Sequence, residues 1–143
     1  MIDEIYNKNV LRLAANISRT EPLPSPAVRV SLRSPLCGST IAVGFCTQNG
    51  RISEFGQTIK ACALGQASAS VMATNIIGKN AKDIQSVRNN LEAMLKEDGP
   101  SPGGIWEALS ALSPAKEVKP RHGAILLPFD AVLKGLKDLK TGD

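Results

Sequence analysis

The sequence predicts an α+β fold: a small three-stranded antiparallel sheet comes first, and helices packed on one face of it follow. Three observations predict this order. Between residues 27 and 61 apolar and polar residues alternate, interrupted by the turn-forming stretches SPLCGS and QNGR. From residue 62 onward the apolar spacing changes to three and four and stays there. No repeat or change of composition marks off another unit, so residues 1–143 read as a single domain with one core.

Each element has a local reason. Ile2, Ile5, Tyr6, Val10, Leu13 and Ile17 recur at helical spacing, and EPLPSP (21–26) ends any helix there. AVRVSLR puts Val28, Val30 and Leu32 on one face of a strand, and TIAVGFC does the same with Ile41, Val43 and Phe45. Asn49-Gly50 is a hairpin turn leading into RISEFGQTIKA, with Ile52, Phe55 and Ile59. A helix follows Cys62, with Gly78 as its stop; Asn80 and Asp83 then form a capping pair before Ile84, Val87, Leu91, Met94 and Leu95. DGPSPGG (98–104) is a loop, and IWEALSAL a short helix that Pro114 should stop. RHGAILLPFDAVLKGLKDL completes the chain as a last helix, kinked or started late at Pro128.

Composition narrows the function. Hydrophobic residues make up 43% and charged residues 21%, an ordinary soluble balance, and no apolar run reaches the roughly 18 residues that span a bilayer. The first residues, MIDEIYNKN, lack the basic start of a secretory signal. Cytoplasmic placement, with no membrane partner, is the expectation. The net charge of +4 is spread over scattered lysines and arginines and is equally compatible with an acidic protein partner, while aromatics amount to 3%, too few to stack the bases of a nucleic acid. There is no Gly-rich phosphate loop and no HExxH motif, and a hydrolase would have a single histidine to work with, so a hydrolase is not expected.

The three cysteines, Cys37, Cys46 and Cys62, read as reduced thiols or metal ligands. If Asn49-Gly50 is a two-residue loop, paired residue numbers sum to 99 and Cys37 faces Cys62. If the loop is bulged at Gly50 the sum is 100, which aligns Ile41 with Ile59 and Phe45 with Phe55; the matching apolar faces favour it. Directly opposed Cα atoms lie about 4.5–5.5 Å apart, so either register brings the two thiols within reach of a shared ligand. Cys62 also stands where a strand hands over to a helix, whose N-terminal partial charge favours a thiolate. Cys46 lies near the hairpin turn on the face opposite Phe45, which makes it non-ligating.

The segments SPLCGS and ACALGQASASVMATNIIGK resemble the U-type iron–sulfur cluster scaffold family, which includes the NifU N-terminal domain, IscU and SufU. That family carries one cysteine in an Asn-Pro-x-Cys-Gly-Asp turn and a second in a Gly-Cys-Ala-x-x-x-Ala-Ser-x-Ser segment before a helix ending Gly-Lys. The resemblance implies a scaffold that binds iron or assembles an iron–sulfur cluster, often [2Fe–2S], with zinc in some relatives. It implies sulfur supplied by a cysteine desulfurase and a product passed to recipient apo-proteins. Cys37 and Cys62 match the first two ligands; thiolates suit iron–sulfur chemistry and zinc alike.

Two positions depart from the family pattern. Ser39 replaces the turn's aspartate, and Ala124 stands where the third ligand cysteine belongs. His122, the one histidine, is the nearest donor and the candidate third metal ligand, displaced by one residue from the place where some relatives carry a histidine, here Gly123. Three completions of the ligand set follow: His122, an exogenous thiol, or the thiol pair of a second subunit in a homodimer. Two other readings remain beside the scaffold, namely an interaction or regulatory module without a stable cluster, and a reversible Cys37–Cys62 disulfide switch.

Overall fold

Helix α1 (Lys8–Ala15) begins at Asn7, whose side chain accepts the Val10 amide, and ends at Asn16, whose side-chain amide donates to the Arg12 carbonyl at 2.7 Å. The computed structural model describes residues 7–36 and 38–141. Ile2, Ile5 and Tyr6, part of the expected first helix, lie outside the described residues. The helix stops at Ala15 rather than running to Ile17, because Asn16 takes over the last-turn carbonyl.

The sheet is an antiparallel meander of β1 (Val28–Arg33), β2 (Thr40–Gln48) and β3 (Arg51–Lys60), in that order. Ile41 pairs with Ile59, Val43 with Gln57 and Phe45 with Phe55, the register that the apolar faces favour. The extra residue, however, is not in the loop. Asn49 and Gly50 both have positive φ, 56° and 78°, the signature of a two-residue type I′ turn, and Gln48 faces Arg51 directly. The register shifts past Thr47–Ile52, so that Cys46 pairs with Glu54 and Ser53 is bulged out. The cause lies in the sequence: Ile52 and Phe55 are both buried, and residues three apart share a strand face only across a bulge.

One face of the sheet, with Val30, Ile41, Val43, Phe45 and Phe55, closes the core. The other is crossed by residues 19–26. Gly56 lies against the Glu21 backbone, and the Gln57 amide donates to the Arg19 carbonyl at 2.8 Å.

Helix α2 (Ala63–Asn75) runs through the middle of the molecule; α1, β3, a long 3-10 segment and the last helix all pack on it. Nine of its residues, Leu64, Gly65, Ala67, Ser68, Ala69, Ser70, Val71, Met72 and Ala73, are buried, so no flank is left for charges. The helix ends at Asn75, three residues before the expected stop. Gly78 (φ +85°) instead turns the chain back so that its amide donates to the Ile52 carbonyl at 2.7 Å. Helix α3 (Ala81–Lys96) starts with the expected box: Asp83 N–H donates to the Asn80 side chain, and the Asp83 carboxylate accepts the Asn80 N–H.

The helix expected to stop at Pro114 is a 3-10 segment, Gly104–Glu117, that runs through it. Its buried residues Leu109, Leu112 and Ala115 are spaced by three, and in a 3-10 helix that spacing eclipses them on one face. A second short 3-10 turn, Lys119–Arg121, leads into α4 (His122–Thr141), which packs on α2, α3, β1 and β2. Pro128 lies inside α4 and does not delay its start. Arg88 of α3 joins the two helices through Asp130 at 2.8 Å and also holds Glu92 at 2.9 Å. Burial favours the neutral form of the Glu92 acid, but Arg88 and Lys96 outweigh it and keep this carboxyl below its usual range.

Gly135 gives α4 its seat on the sheet, since a Cβ there would stand 2.7 Å from the Phe45 ring. Helix propensity alone would make Gly135→Ala stabilising by about 1 kcal/mol. Overpacking costs about 1–3 kcal/mol and wins, so denaturant titration should find Gly135→Ala less stable than the parent. Gly103→Ala, where nothing lies within 4 Å of the added carbon, should leave the midpoint nearly unchanged.

Candidate metal centre

The turn that carries Cys37 is pinned at both ends. Ser34 N–H donates to the Ser39 carbonyl at 2.8 Å, and Gly38 N–H donates to the Ser34 carbonyl at 2.9 Å. Gly38 has φ +73°, a conformation that glycine adopts without strain. Ser34 and Ser39 are buried, whereas Leu36 is 76% exposed. Cys37 itself lies outside the described residues. Arg33 places its guanidinium 3.8 Å from where a Gly38 Cβ would be, so a positive charge overhangs the turn.

Cys62 is the N-cap residue of α2, in extended conformation (φ −65°, ψ 170°), and its carbonyl accepts the Gln66 amide at 3.0 Å. Its side chain makes no cap hydrogen bond; the thiol is free and partly buried against the core. Cys62 is therefore held by backbone geometry while its sulfur is uncommitted to the helix end. β3 ends at Lys60, two residues earlier, and pairs there with Thr40, which directly follows the Cys37 turn.

The third segment is the start of α4. Pro128 has no N–H for the carbonyl four residues back, that of Ala124, and its ring pushes that carbonyl off the helix axis. This oxygen lies 3.2 Å from the position of a Cβ on Gly65, three residues after Cys62. One turn further along α2 the buried Ser68 hydroxyl donates to the Ile125 carbonyl. Gly123 is held equally close to the Cys37 turn: a Cβ on it would stand 2.6 Å from Ser34 Oγ. The turn at residues 34–39, the mouth of α2 and the first turn of α4 thus converge on one another.

A side chain at Gly123 would collide with Ser34. His122 is 4% exposed, and its Nε2 lies 3.0 Å from the Ala115 carbonyl. A carbonyl only accepts, so Nε2 carries the proton, and in the neutral ring Nδ1 keeps the lone pair. Ala124 is fully buried and supplies no donor. Among the described residues no three His, Cys, Asp or Glu side chains come together as a metal site. A complete donor set would draw on Cys37 or on groups from outside the chain. Cys46 is apart: it pairs with Glu54 near the hairpin turn, and its thiol lies 3.8 Å from the Ser25 carbonyl.

The small face of ALGQASAS is a sequence signal for a close approach of this helix to the sheet, but its Gly65 and Ser68 meet the start of α4. The Gly123–Ser34 contact joins residues far apart in sequence and had no such signal.

No family model matches the chain, and no curated protein matches it. Solved structures do. The chain is similar to the N-terminal part of a nitrogen-fixing NifU-like protein from Brucella abortus, with 40% identity, a TM-score of 0.95 and 99% of each chain covered. Two others share the fold at 19% identity, each covering 94% of this chain and 98% of theirs. One is described as an iron–sulfur cluster assembly scaffold for the SUF system of Fervidobacterium islandicum, with a TM-score of 0.83, and the other as a hypothetical protein, at 0.79.

Gly65→Ala tests the convergence. The added methyl would meet Ala61 Cβ at 2.8 Å and the Ala124 carbonyl at 3.2 Å. A loss of about 1–3 kcal/mol in denaturant is expected, with faster amide exchange in the first turns of α4. Thr74→Ala, on the exposed side of the same helix, should be near neutral in both measurements.

Proposed function

Since the chain belongs to the family of NifU-like proteins, in the portion represented by their N-terminal part, we propose that it is a scaffold on which an iron–sulfur cluster is assembled. Cluster or iron is its cargo, held by the thiolates of Cys37 and Cys62. Sulfur comes from a cysteine desulfurase, and the product goes to recipient apo-proteins. The protein binds and transfers rather than turning over a substrate, so it is not an enzyme in the strict sense.

The observation that carries this reading is the convergence of the 34–39 turn, the mouth of α2 and the start of α4, at Ser34–Gly123 and Gly65–Ala124. Sulfur donors suit iron and zinc alike, and cysteinate ligation of a cluster takes four of them. His122 serves as a third ligand through Nδ1. Its Nε2–H on the Ala115 carbonyl is the kind of second hydrogen bond that orients ligating histidines and raises their basicity. The remaining position is taken by an exogenous thiol or by a second subunit in a homodimer. Leu36, exposed beside Cys37, gives an incoming desulfurase an apolar contact at the turn it must reach.

The buried Ala124 and the neutral hydroxyl of Ser39 favour a second reading, in which the fold docks partners without keeping a stable cluster. Anaerobic reconstitution with iron and sulfide separates the two. The scaffold reading expects visible charge-transfer absorption and bound iron that fall to background in Cys37→Ala and Cys62→Ala and persist in Cys46→Ala. His122→Ala should retain less iron than the parent and release it faster to a chelator. Iron in the parent no higher than in the two cysteine variants would leave the docking module as the function.

A further inference from the structure

Far from the converging turns, the start of α3 and the C-terminal half of α4 enclose a groove of about 750 Å3. Its floor includes Leu133 and Leu136, both partly buried against the core. Around them stand Lys82, Lys134, Lys137 and Lys140, against one acid among the lining residues, Asp138. Lys134 holds that acid at 3.1 Å, one turn away on the same helix. The surface is thus apolar at the bottom and basic at the rim, with its only lining carboxylate already engaged by a lysine.

We propose that this groove docks an acidic amphipathic helix of a partner protein. A cleft between two helices receives a third helix by its apolar stripe, and glutamates flanking that stripe would meet the lysines. The alternatives fit less well. Leu133 and Leu136 are recessed into the core rather than projecting, so they offer a bilayer little to insert. A second copy docked face to face about a two-fold axis would set lysines against lysines. A nucleic acid has no use for the leucine floor. The groove is also separate from the candidate metal centre. Leu133 to Lys140 follow Ala124 by 9 to 16 residues, about 14–24 Å along a helix rising 1.5 Å per residue. A partner seated here leaves the turn at Cys37 and Cys62 open, so it can stay bound while cargo is loaded or removed. The inference stands whether or not the chain carries a cluster.

The test uses a synthetic helical peptide of about four turns, with leucines at i, i+3, i+4 and i+7 and glutamates on either side. It is titrated into the isotopically labelled full chain at about 0.1 M salt, where exposed charges beyond a Debye length are screened. Saturable amide shifts confined to residues 81–85 and 133–140 are expected, with affinity about tenfold weaker in the Lys82→Glu, Lys140→Glu double variant. The same peptide with serine for leucine should not bind, and binding should be unaltered in Cys62→Ala. Four results would each overturn the proposal: no binding, shifts lying elsewhere, equal binding of the serine peptide, or an unaffected lysine variant. So would finding the groove occupied otherwise, by a second copy in sedimentation of the free protein or by anionic phospholipid vesicles in flotation.

Discussion

The position of the last helix depends on how closely one carbonyl of its first turn approaches α2. Pro128 offers no N–H to the Ala124 oxygen four residues back. The oxygen turns toward α2, and Gly65 lets it come close because it has no side chain in the way. One turn along α2, the Ser68 hydroxyl secures the neighbouring Ile125 carbonyl. A larger residue at 65 would hold α4 off, and with it Gly123 from Ser34. The scarcity of bulk in ALGQASAS therefore serves the approach of backbone to backbone more than the filling of a core.

The same constraint orders the rest of the chain. With α4 fixed at its start by α2, Gly135 fixes it again further along by meeting the Phe45 ring, and the ion pair of Arg88 with Asp130 ties it to α3. On the sheet side the bulge at Ser53 puts Ile52 and Phe55 on one face, so β3 reaches Lys60 opposite Thr40 with its core face intact. Had the register run on unbroken from the turn, every residue beyond it would have been displaced by one relative to β2. The site on this protein thus rests on two corrections of regular structure, a bulged residue in a strand and a proline inside a helix.

Much of this was legible in the sequence, and the rest had identifiable reasons for being hidden. Alternation located all three strands, and the pairing of Ile41 with Ile59 and Phe45 with Phe55 followed from apolar faces alone. The place of the extra residue did not follow, because Asn-Gly makes a tight turn and defers the bulge until two buried residues three apart demand it. Asn80 and Asp83 announced their helix because capping is local chemistry. The segment from Gly104 did not announce its winding: Leu109, Leu112 and Ala115 fit a 3-10 face, but a short apolar run suits an α-helix equally until neighbours are known. The candidate ligands Cys37 and Cys62 were named from their flanking motifs, and His122 because it is the one histidine. The contacts that join the segments around it set glycines and small serines against a carbonyl or a hydroxyl, which leave almost no mark in a sequence.

Pro128 has a further consequence for how the last helix can come apart. Helical hydrogen bonds form and break as a cooperative ladder, and a missing rung divides that ladder into stretches that open separately. The stretch before Pro128 carries His122 and Ala124, and the stretch after it carries the leucines and lysines of the groove. The first is held by the burial of His122 and residues 124–127 and by the Ser68 hydroxyl on the Ile125 carbonyl, the second by its seat on the sheet at Gly135. One helix therefore contains two stretches anchored on different partners, α2 for the short one and the sheet for the long one.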